Sequence, residues 1–444
     1  MLKLFGGKIS LNIPQIIVLG FAAVILAGTG LLMLPVSSAS GELTPFTEAL
    51  FTSTTSVCVT GLVVHDTGTY WSGFGQAVIL LLIQIGGLGV VTVSAMFAMI
   101  AGRRIGLFQR STMQEAAAAP RIGGIVRLTV FILKTTFCIE GLGAAVMAPV
   151  LIRDFGLWRG IWMALFHSVS AFCNAGIDLM GVRSPYSSLT SYVGSPVINL
   201  CIMFLIVSGG LGFLTWEDIC THRNHLKKYR MQSKVILTTS AFLIVVPAVW
   251  FFFLEFANLP FLQRFWASLF QAVTPRTAGF NTVPLGEMSE ASQVGIIGLM
   301  LIGGSPGSTA GGMKTTTFAV MAACAVCVFK KRESTQFFGR RVGQEVIYTA
   351  STLAFMYISL CVVSAAVISI YEGLPMIVCM YETASAVATV GLTLGITPEL
   401  GTISRYILIS LMYLGRVGGL TIIYAALSGR KQIGRLPLER LTVG

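Results

Sequence analysis

Charged residues are scarce in this 444-residue sequence: Asp, Glu, Lys and Arg make up 11% of the chain, whereas a soluble domain carries about 25%. So few charges cannot cover the surface of a water-soluble protein of this length. The shortage excludes a cytosolic enzyme, a secreted domain and a disordered chain. Hydrophobic residues instead make up 55% of the chain and the mean hydropathy is +0.81, which indicates an integral membrane protein with several spans.

Side chains for catalysis and metal binding are also few. The four histidines are scattered, and no nucleophile recurs beside a base. Most of the nine cysteines lie in apolar segments, and the pair Cys324 and Cys327 lacks two nearby partners for a zinc site. No GxGxxG motif follows a strand, so no nucleotide-binding domain is expected. We therefore predict that the chain is not an enzyme and binds no cofactor of its own.

The net charge of +12 comes from basic residues that are clustered between apolar stretches. Of the 30 Lys and Arg, 21 fall in five clusters: Lys3 and Lys8; Arg103, Arg104, Arg110, Arg121 and Arg127; Arg223, Lys227, Lys228, Arg230 and Lys234; Lys330, Lys331, Arg332, Arg340 and Arg341; and Arg430, Lys431, Arg435 and Arg440. This is the positive-inside pattern, which places all five clusters and both termini in the cytoplasm. Contact with anionic membrane lipid is a lesser alternative, and nucleic-acid binding is not predicted.

Two short motifs recur four times in the same order. Eight apolar segments are long enough to span a membrane: 15–35, 74–101, 125–152, 197–215, 235–256, 294–329, 346–370 and 403–427. Between the members of each pair lies a polar stretch that contains an aromatic residue (Phe51, Phe166, Phe270 or Tyr381) and ends at Gly61, Gly176, Gly279 or Gly391. A glycine pair or the string GRVGGL follows 24 to 33 residues later, at Gly86, Gly209, Gly303 and Gly415.

These motifs predict an all-α integral membrane protein built from four helix–pore loop–helix repeats. The expected repeats are 1–102, 103–222, 223–341 and 342–444, the last with the C-terminal tail. The basic clusters precede the first helix of each repeat and follow the last, so the repeats are parallel. We therefore expect eight transmembrane helices and four re-entrant pore loops with fourfold pseudo-symmetry around one pore, rather than inverted repeats.

The four glycine turns suit cation conduction. Irregular backbone within a membrane is tolerated where it is buried or lines a watery cavity. Glycine adopts positive φ without steric cost and can direct carbonyl oxygens inward, and rings of carbonyls replace the hydration shell of potassium. Each short helix would add the partial negative charge of its C-terminal end.

Three strings give the sequence a family resemblance: VTGL at Val59–Leu62, QAVTPRTAGFN at Gln271–Asn281 and GGSPGSTAGGMKTT from Gly303. The chain resembles the Trk/Ktr/HKT superfamily of potassium uptake proteins over nearly its whole length, and most closely the KtrB-type membrane subunit. The resemblance implies K⁺ as the transported ion and a bacterial plasma membrane as the location. It also implies a selectivity filter of four segments: Cys58, Val59, Thr60 and Gly61; Cys173, Asn174, Ala175 and Gly176; Arg276, Thr277, Ala278 and Gly279; and Ala388, Thr389, Val390 and Gly391.

The resemblance also implies a gate in the broken second helix of the third repeat. Its residues are Gly303, Gly304, Ser305, Pro306, Gly307, Ser308, Thr309, Ala310, Gly311 and Gly312, with Lys314 and Arg416 nearby. Repeated glycine and a proline oppose ordinary helix there. The two cations either cap exposed carbonyls or form an electrostatic barrier; the second reading is favoured for Arg416 and neither for Lys314. The stretch imitates a phosphate-binding loop, but Met313 stands where that loop requires lysine.

Family members of this type form membrane homodimers and work with a cytoplasmic ring of nucleotide-binding KtrA/TrkA-like regulator subunits. The resemblance therefore implies both partners, with ATP or ADP bound only by the regulator. Coupled symport of potassium with sodium or protons stays open as an alternative. Glu140 and Glu382 are candidate coupling sites for it, although Glu140 could equally pair with Lys134 or Arg127, and Glu382 could support a pore element.

Overall fold

The computed structural model describes residues 2–4, 7–9, 12–101, 105–116 and 123–426. Seven residues of the predicted basic clusters lie outside the described residues: Arg103, Arg104, Arg121, Arg430, Lys431, Arg435 and Arg440. The described chain is mostly helical. Two short antiparallel hairpins pair β1 (Leu2–Leu4) with β2 (Gly7–Ile9) and β3 (Gln336–Phe337) with β4 (Arg340–Arg341).

The helices repeat the order first helix, re-entrant helix, second helix. The first group is α1 (Ile13–Leu32), α2 (Phe46–Cys58), the single turn α3 (Thr67–Tyr70), α4 (Gly73–Leu88) and α5 (Val90–Ile100). After α6 (Leu107–Ala116) come α7 (Ile125–Phe155), α8 (Leu157–Phe172), α9 (Pro196–Gly210) and α10 (Phe213–His222). The third group is α11 (Met231–Trp250), α12 (Phe261–Val273), α13 (Glu290–Leu301) and α14 (Thr315–Phe329). The fourth is α15 (Gln344–Glu372), α16 (Met376–Val387), α17 (Thr402–Val417) and α18 (Gly419–Ala426).

The first helix of each group is long and apolar enough to cross a membrane. Helices α1, α7 and α15 have 20, 31 and 29 residues, and α11 reaches 25 with the π-helical turn Phe251–Glu255. At 1.5 Å per residue, 20 residues cover about 30 Å, the thickness of the hydrocarbon core. The re-entrant helices have only 12 to 16 residues. Three of them begin directly after a proline, Pro45, Pro260 or Pro375. Proline suits this position because it has no N–H, and the N–H groups at the start of a helix have no partner within the helix.

The second helix is interrupted in every group, which corrects part of the prediction. The segments 74–101, 197–215 and 403–427 were expected to be continuous spans. Instead, α4–α5, α9–α10 and α17–α18 bend by 99°, 100° and 92°. The bends lie at Gly89, Gly212 and Gly418, whose φ angles of 85°, 87° and 90° are accessible to glycine and costly for other residues. In the third group, the loop of residues 302–314 separates α13 from α14, as predicted.

The core surrounds the re-entrant helices. Phe51, Phe166, Phe270 and Tyr381, the aromatic residues that occupy matching places in the sequence motif, are each 0% exposed. Large apolar side chains on the first helices point outward instead, such as Phe355 and Ile370 on α15. An exposed apolar girdle around a buried polar centre suits a chain surrounded by lipid.

Candidate functional site

The four predicted filter segments have the same backbone conformation. The first, second and fourth segments begin at or directly after the end of a re-entrant helix, and the third begins three residues after α12 ends at Val273. The second residue of each segment is left-handed: φ is 56° at Val59, 61° at Asn174, 65° at Thr277 and 53° at Thr389. The closing glycines also have positive φ, from 65° to 104°. A left-handed β-branched residue is uncommon and strained, so its recurrence at three of the four sites indicates a conformation enforced by the surrounding packing.

The four closing glycines meet in a closed ring. A methyl group built on Gly61 would lie 2.6 Å from the Ala175 carbonyl oxygen, and one on Gly176 would lie 2.6 Å from that of Ala278. One on Gly279 would lie 2.5 Å from the Val390 oxygen, and one on Gly391 would overlap the Thr60 oxygen. Each glycine therefore faces the carbonyl of the third residue in the next segment along the chain, and the glycine of the fourth segment faces that of the first, which closes the ring. The chain thus brings all four segments to one axis, and a side chain at these glycines would intrude on it.

Hydroxyl groups support the filter segments from behind, and sequence reasoning missed them. Thr55 Oγ1 accepts a hydrogen bond from the Gly61 N–H at 3.0 Å, and Ser385 Oγ accepts one from the Gly391 N–H at 2.9 Å. Ser170 Oγ donates to the Ile177 carbonyl at 2.7 Å, and Thr274 Oγ1 donates to the Phe280 carbonyl. The signal was present in the sequence. Thr55, Ser170 and Ser385 each stand six residues before a closing glycine, and Thr274 stands five residues before Gly279 because the third motif is one residue shorter.

The second glycine motif lets the second helices pack against the ends of the re-entrant helices. A methyl group on Gly86, Gly209 or Gly415 would overlap the carbonyl oxygen of Val57, Phe172 or Val387 respectively. These three carbonyls occupy the same place, one residue before the filter segment. The motif found by recurrence alone therefore has a packing role, because it holds the second helices close to the start of the predicted filter segments.

A small cavity of about 60 Å³ lies next to the glycine ring, among the loops that follow the predicted filter segments. It is lined by all four closing glycines together with Asp66, Asp178, Tyr186 and other residues of the loops that follow the filter segments. Asp66 caps α3 and accepts a hydrogen bond from the Tyr186 N–H at 2.9 Å. Asp178 accepts one from the Met180 N–H at 2.8 Å, and burial raises the pKa of its carboxyl to about 7. These two acids, which the sequence analysis did not single out, give this cavity a cation-attracting character.

The predicted gate loop lies on the side of the predicted filter segments opposite this cavity, near their first residues. Its backbone is held mainly by the second repeat: the Ser305 N–H donates to Gly210 O at 3.0 Å, the Thr309 N–H donates to Gly209 O at 3.2 Å, and Gly307 O accepts from the Phe213 N–H at 2.8 Å. Gly312 N–H donates to Gly415 O in the fourth repeat at 3.2 Å. A methyl group on Gly311 would overlap the Thr389 hydroxyl, so the loop reaches the filter closely because it lacks side chains there.

The two predicted cations both bind carbonyl oxygens of this region. Lys314 Nζ donates to Ala310 O at 2.9 Å and to Gly311 O at 3.4 Å, which are carbonyls of its own loop. Arg416 donates through Nη1 to Thr309 O on the loop, and through Nη2 to Gly86 O and, at 3.2 Å, to Gly87 O. Arg416 therefore joins the loop to the first repeat, although it belongs to the fourth.

The two buried glutamates lie behind the filter. Glu140 accepts a hydrogen bond from Gln84 Nε2 at 3.2 Å and one from Cys173 Sγ at 3.7 Å. Within the described residues it forms no ion pair with Lys134 or Arg127, so the predicted alternative of a pair on its own helix is wrong. Glu382 is 0% exposed and accepts a hydrogen bond from Thr397 Oγ1. No cluster of three or more His, Cys, Asp or Glu suited to a resident metal occurs within the described ranges.

Comparison with known proteins identifies relatives along nearly the full chain. The family model described as "TrkH: Cation transport protein" matches residues 12–431. The chain is 40% identical to the potassium/sodium uptake protein NtpJ of Enterococcus hirae, with 93% of this chain and 92% of the relative covered. It is 38% identical to the Ktr system potassium uptake protein B of Bacillus subtilis, with 93% and 92% covered. The crystal structure of the potassium transporter TrkH from Vibrio parahaemolyticus has the same fold, with a TM-score of 0.73, 18% identity, and coverage of 95% of this chain and 86% of that one.

Proposed function

Because this chain belongs to the TrkH family of cation transport proteins, we propose that it takes up potassium through a filter of backbone carbonyls formed by the four glycine segments. The family match confirms the predicted resemblance, the fold class and the prediction of a transporter rather than an enzyme. The observation that carries the proposal is the closed ring in which each closing glycine faces a carbonyl of the next segment.

Potassium is the proposed cargo on chemical grounds. The residues of the filter segments next to the axis are small or neutral, apart from Arg276, whose guanidinium points away and donates to Ser240 Oγ at 3.0 Å. Neutral carbonyls compensate a weakly hydrated cation without charged side chains. A membrane potential contributes about 2.3 kcal/mol per charge per 100 mV, which is sufficient to accumulate potassium. The names of the two relatives, one specifying potassium uptake and the other potassium and sodium uptake, support this cargo.

The gate in this proposal is the loop from Gly303 to Gly312 together with Lys314 and Arg416. The loop lies directly inside the filter segments. It is bonded to the second and fourth repeats, and Arg416 links it to the first. Ions that leave the filter toward the inner side would meet this loop, so its displacement is required for conduction. Deleting residues 304–312 should therefore raise basal flux, whereas loss of flux in a folded variant would indicate a structural role.

The name of one relative supports a proposal about partners and location. The Bacillus subtilis relative is named as protein B of a Ktr system, which supports a multi-subunit assembly. We infer a homodimer in a bacterial plasma membrane, with lipid around the apolar girdle and both termini in the cytoplasm. A nucleotide-binding regulator ring would dock on the basic cytoplasmic loops and act on the gate.

Coupled symport is the second candidate. It is favoured by one observation, the two buried carboxyl groups Glu140 and Glu382 behind the filter. A sodium or proton requirement for potassium uptake would support it.

Cation flux in liposomes that contain only the purified chain tests these candidates. Potassium and sodium gradients are compared at a clamped membrane potential. Potassium flux without a second ion supports the pore. Flux that requires sodium or a proton gradient supports symport. If the chain alone is silent, the regulator is added, and silence in its presence contradicts both.

A further inference from the structure

The gate loop and the filter are joined by a chain of side-chain hydrogen bonds through Thr309 and Asn174. Thr309 Oγ1 lies 3.0 Å from the Phe172 carbonyl oxygen and 3.3 Å from Asn174 Oδ1. On its other side, Asn174 Nδ2 lies 3.4 Å from both the Arg276 carbonyl oxygen and Thr277 Oγ1. The Thr309 hydroxyl has one proton, which the Phe172 carbonyl and Asn174 Oδ1 share. The chain of bonds therefore runs from the loop, through the second filter segment, to the third.

The orientation of the Asn174 amide follows from its partners. The Arg276 carbonyl can only accept a hydrogen bond, so the amide nitrogen must face it, and the amide oxygen then faces the hydroxyl of Thr309. All of these groups are 0% exposed except Arg276, which is 6% exposed. A methyl group on Gly209 would lie 2.6 Å from Asn174 Oδ1 and 2.8 Å from Thr309 Oγ1, so the glycine pair of the second repeat leaves room for this contact.

Asn174 is distinctive among the second-position residues. Val59 has no polar side-chain atom. Thr277 Oγ1 is engaged by Asn174 itself, and Thr389 Oγ1 has no hydrogen-bond partner within the described chain. In the part of the chain that the structure describes, Asn174 alone among the four second-position residues forms a side-chain hydrogen bond with the gate loop.

Arg276 is the first residue of the third filter segment, so its carbonyl belongs to the innermost ring of the proposed filter. A carbonyl oxygen that accepts a hydrogen bond from an amide is a weaker ligand for a cation, because the amide proton competes for its electron density. We propose that the loop, when in place, uses Thr309 to orient Asn174 onto this carbonyl and so weakens the innermost ion site. Withdrawal of the loop frees the amide and restores the site, which links ion occupancy to the position of the gate. By reciprocity, an ion at the innermost site favours withdrawal of the loop. This inference rests on the proposed function, with Thr309 acting as a positioning residue.

Anomalous diffraction from crystals grown in rubidium tests the inference, because it reports ion occupancy at each filter level without requiring flux. In the wild type we expect density at the glycine ring and little at the innermost ring. Thr309→Val removes the hydroxyl at nearly constant volume, and should raise the apparent rubidium affinity of the innermost site about fivefold, the effect of one neutral hydrogen bond. Thr309→Ser keeps the hydroxyl and should match the wild type. So should Ser308→Ala, the matched control, because Ser308 Oγ donates only within the loop, to Ser305 O.

The outcomes separate this inference from the proposed function. Innermost density that is equal in the wild type and Thr309→Val, with density retained at the glycine ring, overturns the inference and leaves the filter intact. A gain in Ser308→Ala as large as that in Thr309→Val also overturns it, since general loosening of the loop would then be the cause. Rubidium density absent from every filter level in all variants contradicts the filter itself. If Thr309→Val does not fold, Asn174→Gly provides the same test, because glycine accepts the φ of 61° at this position.

Discussion

Replacing Arg416 with alanine should open the gate in the absence of any regulator. Arg416 donates to one carbonyl on the loop, that of Thr309, and to two on the first repeat, those of Gly86 and Gly87. Only the bond to Thr309 is broken when the loop withdraws. A hydrogen bond from a charged donor contributes about 1.5–3 kcal/mol, so its loss should shift the closed-to-open ratio by roughly 10- to 150-fold. Basal potassium flux should rise by that factor while the open fraction remains small.

The assay is potassium flux into liposomes that contain purified Arg416→Ala, compared with the wild type. Arg405→Ala is the matched control, because Arg405 lies on the same helix, α17, and bonds to Pro398 O rather than to the loop. Size-exclusion profiles and thermal stability establish that each variant is folded. Flux that is unchanged or abolished in a folded Arg416→Ala protein would refute the reasoning and reduce Arg416 to a cap for buried carbonyls.

Three further predictions concern the filter and its surroundings. Thr55→Val leaves the Gly61 N–H without its acceptor, and should lower the potassium-to-sodium permeability ratio several-fold in reversal-potential measurements. Thr352→Val, whose hydroxyl donates to the Tyr348 carbonyl of its own helix, should leave the ratio unchanged. Burial raises the pKa of Asp178 to about 7, so this carboxyl is mostly ionised at pH 8 and mostly protonated at pH 6. Acidifying the side of the membrane that this cavity faces over this range should therefore reduce inward flux. Asp178→Asn should abolish the dependence, and its persistence in that variant would contradict the assignment to Asp178. Gly209→Ala forces a methyl group onto the Phe172 carbonyl and should cost about 1–3 kcal/mol or more of stability, measured as a lower melting temperature, whereas Gly298→Ala, which faces open space, should be neutral.

Recurrence made much of the fold predictable from the sequence. The aromatic residues and closing glycines recur at nearly constant spacing because each repeat builds the same re-entrant helix and turn. Phe51, Phe166, Phe270 and Tyr381 accordingly occupy equivalent buried places. The first helices were also predictable, since a run of about 20 apolar residues has few alternatives to spanning the membrane.

The bends in the second helices were not predicted, although the glycines that allow them were visible. Hydropathy continues across Gly89, Gly212 and Gly418, so composition alone does not distinguish a bent pair of helices from one span. The side-chain partners were missed for a different reason. Thr309 and Asn174 are 135 positions apart in the chain, and Glu140 meets Gln84 and Cys173 rather than the basic residues on its own helix. Contacts between repeats depend on how the four units close around the axis, which no single motif encodes.

The potassium-to-sodium permeability ratio of Gly61→Ser tests the central claim most directly. Gly61 has a φ of 104°, and a Cβ there would lie 2.6 Å from the Ala175 carbonyl oxygen, so serine must disturb the ring where the first and second segments meet. The ratio is obtained from reversal potentials under bi-ionic conditions, for folded wild-type and variant protein in the same liposomes. A wild type that prefers potassium and a variant in which that preference is relaxed are the results that the four-glycine filter predicts. An unchanged ratio in the folded variant would contradict it.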